Sequence, residues 1–590
     1  MKKPLLFVLF LLFAVNSNWA GPPLPVGPLP NERQIKWHQR EVIFLVSLDL
    51  CTFYDEERNY GTYDPSAFNP TAENFCDQWA AVCRGAGFRC IMPIAVHVGG
   101  FCLWPSAYTN YDVEAVPWKG GKGDVIGDAA KAAVKHGIEY GIYFNPFHRN
   151  QMAGYPYRTP GVVYGQEPGY SDYLNNMLAE LTGNYGPFVE MFIDGAGPAA
   201  GSMDWARFET TIRAKQPMVC IFGDGPRGQI VDQRWPGNEL AFAGEPCWST
   251  INRSSLIAMK NLECGELEGD SFIPAEADVS IREGWFYHPY EYPKSLNCLI
   301  DMYYTSVGRN ALLCLGLTPD PKGLIPETDV KRLYEFGDFI EYSFKVNYAL
   351  GAAATATQTR SGQYSAANVI DGNFDTYWAP PDSVTGGVSI ELDFGSAKKF
   401  DVVMLQEYIE LGQRITSYTI EKYHAGRWKK CASSRSIGYK RLIKVAGTTA
   451  SKLRLTINST KVSGAVPCIR EIGIYKEVKN PGNRVALKTV PANARFWEPA
   501  EIIADSMSTV LITAELHNSS ESVLTTATNE VTFSLFGNGA LIGPTVKNAV
   551  NGVVTAVLQS AKNPGMAIVQ AFSANFSPYA VNILTIAPPK

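Results

Sequence analysis

Phe188-Val189-Glu190-Met191-Phe192-Ile193-Asp194-Gly195-Ala196-Gly197 is the stretch whose reading decides the fold. Its first six residues are apolar except for Glu190, which reads as a strand buried on both faces. Asp194 ends the run and opens a glycine-rich turn. A carboxylate at the C-terminal tip of a buried strand is what a (β/α) barrel presents on its catalytic face. A second strand, Met218-Val219-Cys220-Ile221-Phe222, follows, and its long loop carries Arg234-Trp235-Pro236-Gly237-Asn238-Glu239. Two carboxylates on adjacent βα loops, in an aromatic setting, point to the cleavage of a glycosidic bond.

Outward from this stretch, strand-like and helix-like segments alternate. Val42 to Ser47 reads as a first strand. A helix is expected from Thr71 to Ala86, stopped by Gly87, then a strand from Phe88 to Ile94. Asp128 to His136 reads as a helix stopped by Gly137, and Glu139 to Phe144 as a strand. Both glycines suit the left-handed position just past a helix end. Helices are expected over Tyr170 to Thr182 and Trp205 to Lys215, a closing strand over Ala311 to Leu317, and a final helix over Asp329 to Phe344. Repeated βα units over this length predict a (β/α)8-like barrel. Its sixth and seventh strands are not legible in the pattern.

The composition changes near Gly351. Alternating apolar positions at Val388-Ile390-Leu392-Phe394, Tyr418-Ile420 and Leu453-Leu455-Ile457 predict a β-sandwich. A further β-rich block follows Lys479-Asn480-Pro481-Gly482, with strands at Val510-Ile512-Ala514, Val531-Phe533-Leu535 and Ala567-Val569-Ala571. The fold class is therefore multidomain: a (β/α)8-like barrel followed by two β-sandwich domains. The expected divisions are a signal peptide over 1–20, the barrel over 30–348, and sandwiches over 350–476 and 485–590.

The net charge of −5, with no basic run, makes nucleic acid and anionic membrane poor partners. Lys2-Lys3, an apolar stretch from Leu5 to Val15, and Asn18-Trp19-Ala20 read as a signal peptide cleaved after Ala20. The apolar stretch is shorter than the roughly 20 residues of a spanning helix. The mature chain is expected to be soluble and either secreted or periplasmic. The 12 cysteines do not read as a disulfide framework, because Cys90, Cys220 and Cys314 sit inside apolar runs as small core residues. Seven histidines with no metal-type pair, and no CxxC, predict neither a catalytic metal nor a cofactor. Aromatic residues make up 12% of the chain, which serves sugar stacking and a large core equally well.

The barrel resembles glycoside hydrolase family 29, the retaining α-L-fucosidases. The likeness is carried by Phe68-Asn69-Pro70-Thr71, Phe101-Cys102-Leu103-Trp104-Pro105-Ser106 and Pro117-Trp118-Lys119-Gly120-Gly121-Lys122-Gly123-Asp124. It continues through Asp194-Gly195-Ala196, Arg234-Trp235 to Asn238-Glu239, Asp278-Val279-Ser280-Ile281-Arg282, Gly284-Trp285-Phe286-Tyr287-His288 and Ser306-Val307-Gly308-Arg309-Asn310. Residues 350–476 resemble a discoidin-type C domain through Val369-Ile370-Asp371-Gly372, Tyr377-Trp378, Gly412-Gln413-Arg414 and Ile437-Gly438-Tyr439-Lys440-Arg441. Residues 485–588 are similar to a bacterial immunoglobulin-like domain, with Phe536-Gly537-Asn538-Gly539 and Asn551-Gly552 as cues.

The resemblance implies Asp194 as nucleophile and Glu239 as acid/base, with Glu245 and Glu276 as rival acids. It also implies that Arg234 holds a substrate oxygen or orients Asp194. His97 is expected to contact a sugar hydroxyl, and Trp104 and Trp285 to pack on the sugar's apolar face or in the core. Three strand tips depart from the family pattern. His-Phe-Gly is replaced by Ser47-Leu48-Asp49, and Lys-His-His-Asp-Gly-Phe by Val96-His97-Val98-Gly99-Gly100-Phe101. Ser-Pro-Trp-Asp-Arg is replaced by Asn145-Pro146-Phe147-His148-Arg149. Ser47 and Asp49 are expected to accept a different hydroxyl pattern, and His148 to be a new specificity contact. The resemblance thus implies retained chemistry in an altered pocket, one poor on plain α-L-fucosides.

The expected activity is exo-hydrolysis of α-L-fucosides of an oligosaccharide or glycan. Two alternatives stay open. One is the same chemistry on a substituted fucose or related L-sugar; the other is a carbohydrate-binding protein with an inactive barrel. Contact of the β-modules with polysaccharide is a further open option.

Overall fold

The computed structural model describes residues 21–152, 159, 161–162, 169–195, 203–461 and 465–589. The expected signal peptide, at residues 1–20, lies outside them, as do Ala196 and Gly197 of the deciding stretch. The catalytic-region elements run α1 Glu32–His38, β1 Val42–Val46, α2 Leu50–Tyr54, α3 Phe75–Gly85, β2 Cys90–Val96, α4 Val125–His136, β3 Glu139–Tyr140 and β4 Ile142–Phe144. They continue α5 Gly169–Asn184, β5 Glu190–Ile193, α6 Trp205–Lys215, β6 Cys220–Phe222, β7 Thr250–Ile251, α7 Arg253–Ile257, β8 Ser271–Phe272, β9 Glu276–Ser280, α8 Leu296–Thr305, β10 Leu312–Leu317 and α9 Glu327–Phe344.

Local chemistry sets the boundaries. Asp124 caps α4 by accepting from the Gly127 amide at 2.8 Å, and Gly137, at φ +63°, ends it. The α3 helix starts at Phe75, later than the pattern predicts, because Asn74 takes a left-handed φ of +54°.

The parallel sheet follows the order β6-β5-β4-β2-β1-β10-β9, with β3 continuing the β4 position alongside β2. The two illegible strands are now visible. Glu276–Ser280 (β9) is the seventh. The sixth is only two residues long: Gln233 bridges Phe222, and Arg234 bridges Ala275, both in parallel sense. This closes the gap between β6 and β9 and completes a curled (β/α)8-like barrel.

Side-chain alternation divides the barrel into two layers. Ile43, Leu45, Met92, Ile94, Tyr143, Phe192, Phe222 and Cys314 fill the lumen with Trp37. Phe44, Val46, Ile91, Phe144, Met191, Ile193, Leu313 and Leu315 instead pack in the core that includes the helices' apolar residues. Cys90, Cys220 and Cys314 are buried in the lumen, and all 12 cysteines are free.

The second region contains β11 Ala353–Ala356, β12 Val388–Glu407, β13 Ile415–His424, β14 Arg427–Ser434, β15 Arg441–Thr460 and β16 Ile469–Tyr475, joined in one sheet. Ile390, Leu392, Tyr418, Ile420, Leu453, Leu455 and Trp378 form its core. The last region has two sheets, ordered β17-β19-β23-β21 and β18-β25-β24-β20-β22, around Val510, Ile512, Val531, Phe533 and Val569. Its strands are β17 Arg484–Val490, β18 Ala500–Ile503, β19 Thr509–His517, β20 Glu530–Gly537, β21 Ala540–Ile542, β22 Val546–Asn548, β23 Val553–Gln559, β24 Gly565–Ser573 and β25 Tyr579–Ile586. Among the described residues, no helix is long and apolar enough to cross a membrane.

Candidate active site

A cavity of about 400 Å³ opens at the C-terminal end of the barrel strands. It is lined by Ser47, Glu57, Arg58, His97, Val98, Tyr143, Arg149, Phe192, Asp194, Glu239, Asp278, Trp285 and Phe286, among others. Period two places Asp194 there. Glu190, Phe192 and Asp194 share the lumen side of β5, so Glu190 sits at the floor and Asp194 at the mouth. The Asp194 amide donates to Phe144 O at 3.1 Å and extends the ladder by one residue.

The Asp194 carboxylate is held from the neighbouring strand. Tyr143 Oη donates to Oδ2, and Asn145 Nδ2 donates to the same oxygen at 2.9 Å. Burial, and then the Asp194 charge, push the Tyr143 hydroxyl well above its ordinary range, so it remains a donor. The Gly195 amide donates to Asp194 Oδ1 at 2.5 Å.

Glu239 is exposed at the pocket mouth. Its loop is pinned to β9: Trp235 Nε1 donates to Asp278 Oδ1 at 2.9 Å, and the Ala241 amide donates to Asp278 O at 3.2 Å. Trp285 Nε1 donates to Glu239 Oε2 at 2.8 Å. Trp285 is itself placed by Glu57, whose carboxylate accepts from the Trp285 amide at 2.9 Å and the Phe286 amide at 3.1 Å. Gly316 makes room for the indole, since a Cβ there would lie 2.6 Å from its ring.

The structure thus brings Asp194, Glu239, His97, Trp285 and Ser47 to one cavity. His97 lies edge-on to Phe286, with ring centroids 5.1 Å apart, and burial lowers its pKa against the pull of the Asp194 charge.

Four expected contacts do not line the cavity, and each has a structural reason. Trp104 is fully buried, and its Nε1 donates to Glu180 Oε2 at 3.2 Å. Arg234 is also fully buried, because its two-residue strand is internal. Its guanidinium donates to the carbonyls of Leu262 at 2.8 Å, Trp248 at 2.9 Å and Ile273, so it ties the loops around the sixth position rather than binding sugar. His148 packs behind β4. Burial pushes it down to about 3, so it is neutral, donating from Nε2 to Asn145 O and accepting at Nδ1 from Tyr173 Oη, both at 2.8 Å. Asp49 is the buried N-cap of α2 and accepts from the Cys51 amide at 3.1 Å. Desolvation pushes its carboxyl up to about 7.

The rival acids also lie elsewhere. Glu276 shares the lumen floor with Glu190, where Trp37 Nε1 donates to both, at 3.2 Å and 3.1 Å. Burial raises both carboxyl groups. Glu245 faces the second region, paired with Arg441 and hydrogen-bonded by Ser434 Oγ at 2.8 Å.

Asp278 also reaches the cavity, a placement the sequence signals only through alternation: Glu276, Asp278 and Ser280 alternate along β9 as Glu190, Phe192 and Asp194 do along β5. Burial first, then the charges of Glu239 and Asp194, raise its carboxyl well above the usual range. Glu57, Arg58 and Arg149 line the cavity as well, from loops in which no sequence pattern marks them.

Among the described residues, Asp49, Cys51 and His97 form a group with potential metal-ligand atoms within 4.8 Å of one another. Burial raises the Cys51 thiol well above its ordinary range, whereas a metal requires the thiolate.

The chain is similar to known α-L-fucosidases. The α-L-fucosidase family model matches residues 33–343, an F5/8 type C domain matches 353–472, and domain 3 of invasin matches 491–581. Alpha-L-fucosidase 1 of Arabidopsis thaliana is 35% identical over 79% of this chain and 91% of its own. The solved structure of a Ruminococcus gnavus GH29 fucosidase in complex with fucose has TM-score 0.71 and 30% identity, covering 78% of this chain and 97% of that one. A glycoside hydrolase 29 family member from an unknown rumen bacterium spans 95% of this chain and 98% of its own, at 28% identity and TM-score 0.65. With the family model covering more than half of the sequence and a carboxylate-lined pocket at the barrel mouth, the chain belongs to the α-L-fucosidase family, glycoside hydrolase family 29, and is a glycosidase of that type.

Proposed function

We propose that this is an exported, retaining exo-glycosidase that removes α-L-fucosyl residues from glycans by double displacement. The observation that carries the reading is the meeting of Asp194 and Glu239 in one cavity from two separate loops, those after the fourth and sixth barrel strands, each oriented by a donor of its own. Export rests on the apolar Leu5–Val15 leader.

In the first step Asp194 attacks C1 and the bond from C1 to the aglycone oxygen breaks. Glu239 gives its proton to that oxygen. Tyr143 and Asn145 aim the Asp194 carboxylate by fixing Oδ2. In the second step Glu239 removes a proton from water, and the water oxygen displaces Asp194 from C1. Two inversions leave the anomeric configuration unchanged.

The test is NMR of the first-formed sugar from an aryl α-L-fucoside, together with Asp194→Ala. The expected outcome is a retained first product and loss of turnover in the variant, rescued by azide as a glycosyl azide of inverted configuration. An inverted first product would make water the attacking group. Binding of fucosides without turnover by the wild type would favour a carbohydrate-binding protein.

A further inference from the structure

The cavity holds two arginines that the chemistry above does not use. Arg58 and Arg149 line it on the side of the first three barrel strands, with Ser47, His97 and Val98. Among the described residues, neither guanidinium has an ion pair or a side-chain hydrogen bond. Arg149 instead lies against the Tyr60 ring, 4.8 Å from its centroid.

The nearby carboxylates are engaged elsewhere. Glu57 accepts from the amides of Trp285 and Phe286, and it pairs with His288 Nε2 at 2.9 Å. Asp194 is held by Tyr143 and Asn145, and Glu239 by Trp285. Asp278 is held by Trp235. Each acid in the cavity therefore has donors, while two groups with five N–H donors apiece line it without side-chain acceptors among the described residues.

Their placement is built into the fold. The Arg149 amide donates to Val98 O at 3.0 Å, so it follows the second strand tip directly. Gly61, at φ +80°, lets the first loop pack on the backbone of Arg149 and Asn150; a Cβ at Gly61 would lie 2.4 Å from the Asn150 nitrogen. Asn59, fully buried, donates to Tyr111 Oη at 3.0 Å and accepts from the Gly61 amide at 2.8 Å, which anchors the residue next to Arg58. Ser47 and Val98 are short side chains on the same side of the cavity. That side therefore combines room with positive charge.

We infer that the sugar accepted here carries an anionic ester of the sulfate class, directed toward Arg58 and Arg149. The inference rests on the fucosidase reading and names the substituent that the site selects. A planar guanidinium donates two parallel bonds to an oxyanion, and two guanidiniums on adjoining loops can bind one sulfate from two sides. The ester bond is not broken. The C1–O cleavage proceeds as above, and the released sugar keeps its sulfate. Such a fucoside must come from a sulfated polysaccharide or glycan, and a sulfatase-type reaction must act on the product before plain fucose appears.

The experiment compares kcat/KM for 4-nitrophenyl α-L-fucoside, its 2-, 3- and 4-O-sulfates, and the matching O-methyl ethers. Wild type, Arg58→Gln, Arg149→Gln and Arg149→Lys are used after each is shown to melt cooperatively. One sulfate regioisomer is expected to exceed the plain fucoside by about tenfold or more. Its methyl ether should not. The ratio of sulfated to plain should collapse in the two Gln variants, be partly kept in Arg149→Lys, and shrink as NaCl rises from about 0.05 M to about 0.5 M. Plain fucoside turned over as fast as every sulfate would overturn the inference and leave the fucosidase reading intact. So would an advantage that survives both Gln changes. Failure to hydrolyse any of these fucosides would overturn both.

Discussion

The indole nitrogen of Trp285 donates to Glu239 Oε2 at 2.8 Å, which joins the exposed acid of one loop to an aromatic wall held by another. In the proposed mechanism the relationship gives Trp285 two tasks, to orient the acid/base and to face the sugar. Trp285→Phe keeps a ring and deletes the donor. Loss of one hydrogen bond to a charged group is expected to lower kcat/KM roughly tenfold. The loss should be larger for poor leaving groups, which need the proton most. An equal loss for good and poor leaving groups would mean that the indole acts on the sugar alone.

Gly316 is the space in which that indole rests. A Cβ there would lie 2.6 Å and 2.8 Å from two Trp285 ring carbons, while Glu57 and Glu239 hold the residue at its amide and its Nε1. Gly316→Ala is therefore expected to cut kcat/KM on the same substrates as Trp285→Phe. The double variant should be little worse than either single one, since both remove the same contact. Additive losses would show that Gly316 serves something other than Trp285.

Arg234 is a fully buried cation that donates to the carbonyls of Leu262, Trp248 and Ile273. Arg234→Met removes the charge and leaves those carbonyls without that donor, at a cost on the order of 3 kcal/mol. The expected result is a lower melting temperature, and a wild-type KM for whatever fraction stays folded. A large rise in KM at unchanged melting temperature would restore Arg234 to the sugar.

His38 supplies a pH dependence. It is buried against Tyr439 of the second region, with ring centroids 4.8 Å apart, and among the described residues neither ring nitrogen has a hydrogen-bond partner. Burial first, then the Arg470 charge, push it down to about 3 from the ordinary 6.5. The unfolded chain therefore binds the proton before the folded chain does. Stability from this group is intact above about 6.5 and is lost as pH falls from there toward 3. His38→Phe removes the titration and keeps a ring on Tyr439. The fall in melting temperature between about pH 7.5 and about pH 4.5 should be smaller in the variant. Equal falls would assign the acid sensitivity to other groups.

The sequence by itself determined the elements whose own residues carry a period or a stop. The β5 run with its terminal Asp194 is one, because alternation puts Glu190, Phe192 and Asp194 on one side whatever surrounds them. The Gly137 stop after α4 is another, since a φ of +63° favours glycine there. The alternating strands of both later regions follow the same logic, with one buried face each. What only the tertiary structure decided lies where the chain has no pattern of its own. The sixth barrel strand is two residues, Gln233 and Arg234, and two residues cannot display a period. Arg234 then reads as a loop cation until its carbonyl partners are in place. Trp104 and Trp285 are equivalent as letters in glycine-, proline- and serine-bearing loops. One is turned into the core toward Glu180, and the other into the cavity by Glu57, which is 228 residues away in the chain. Ring direction in a loop is set by such distant hydrogen bonds, and neither propensity nor spacing along the chain encodes them.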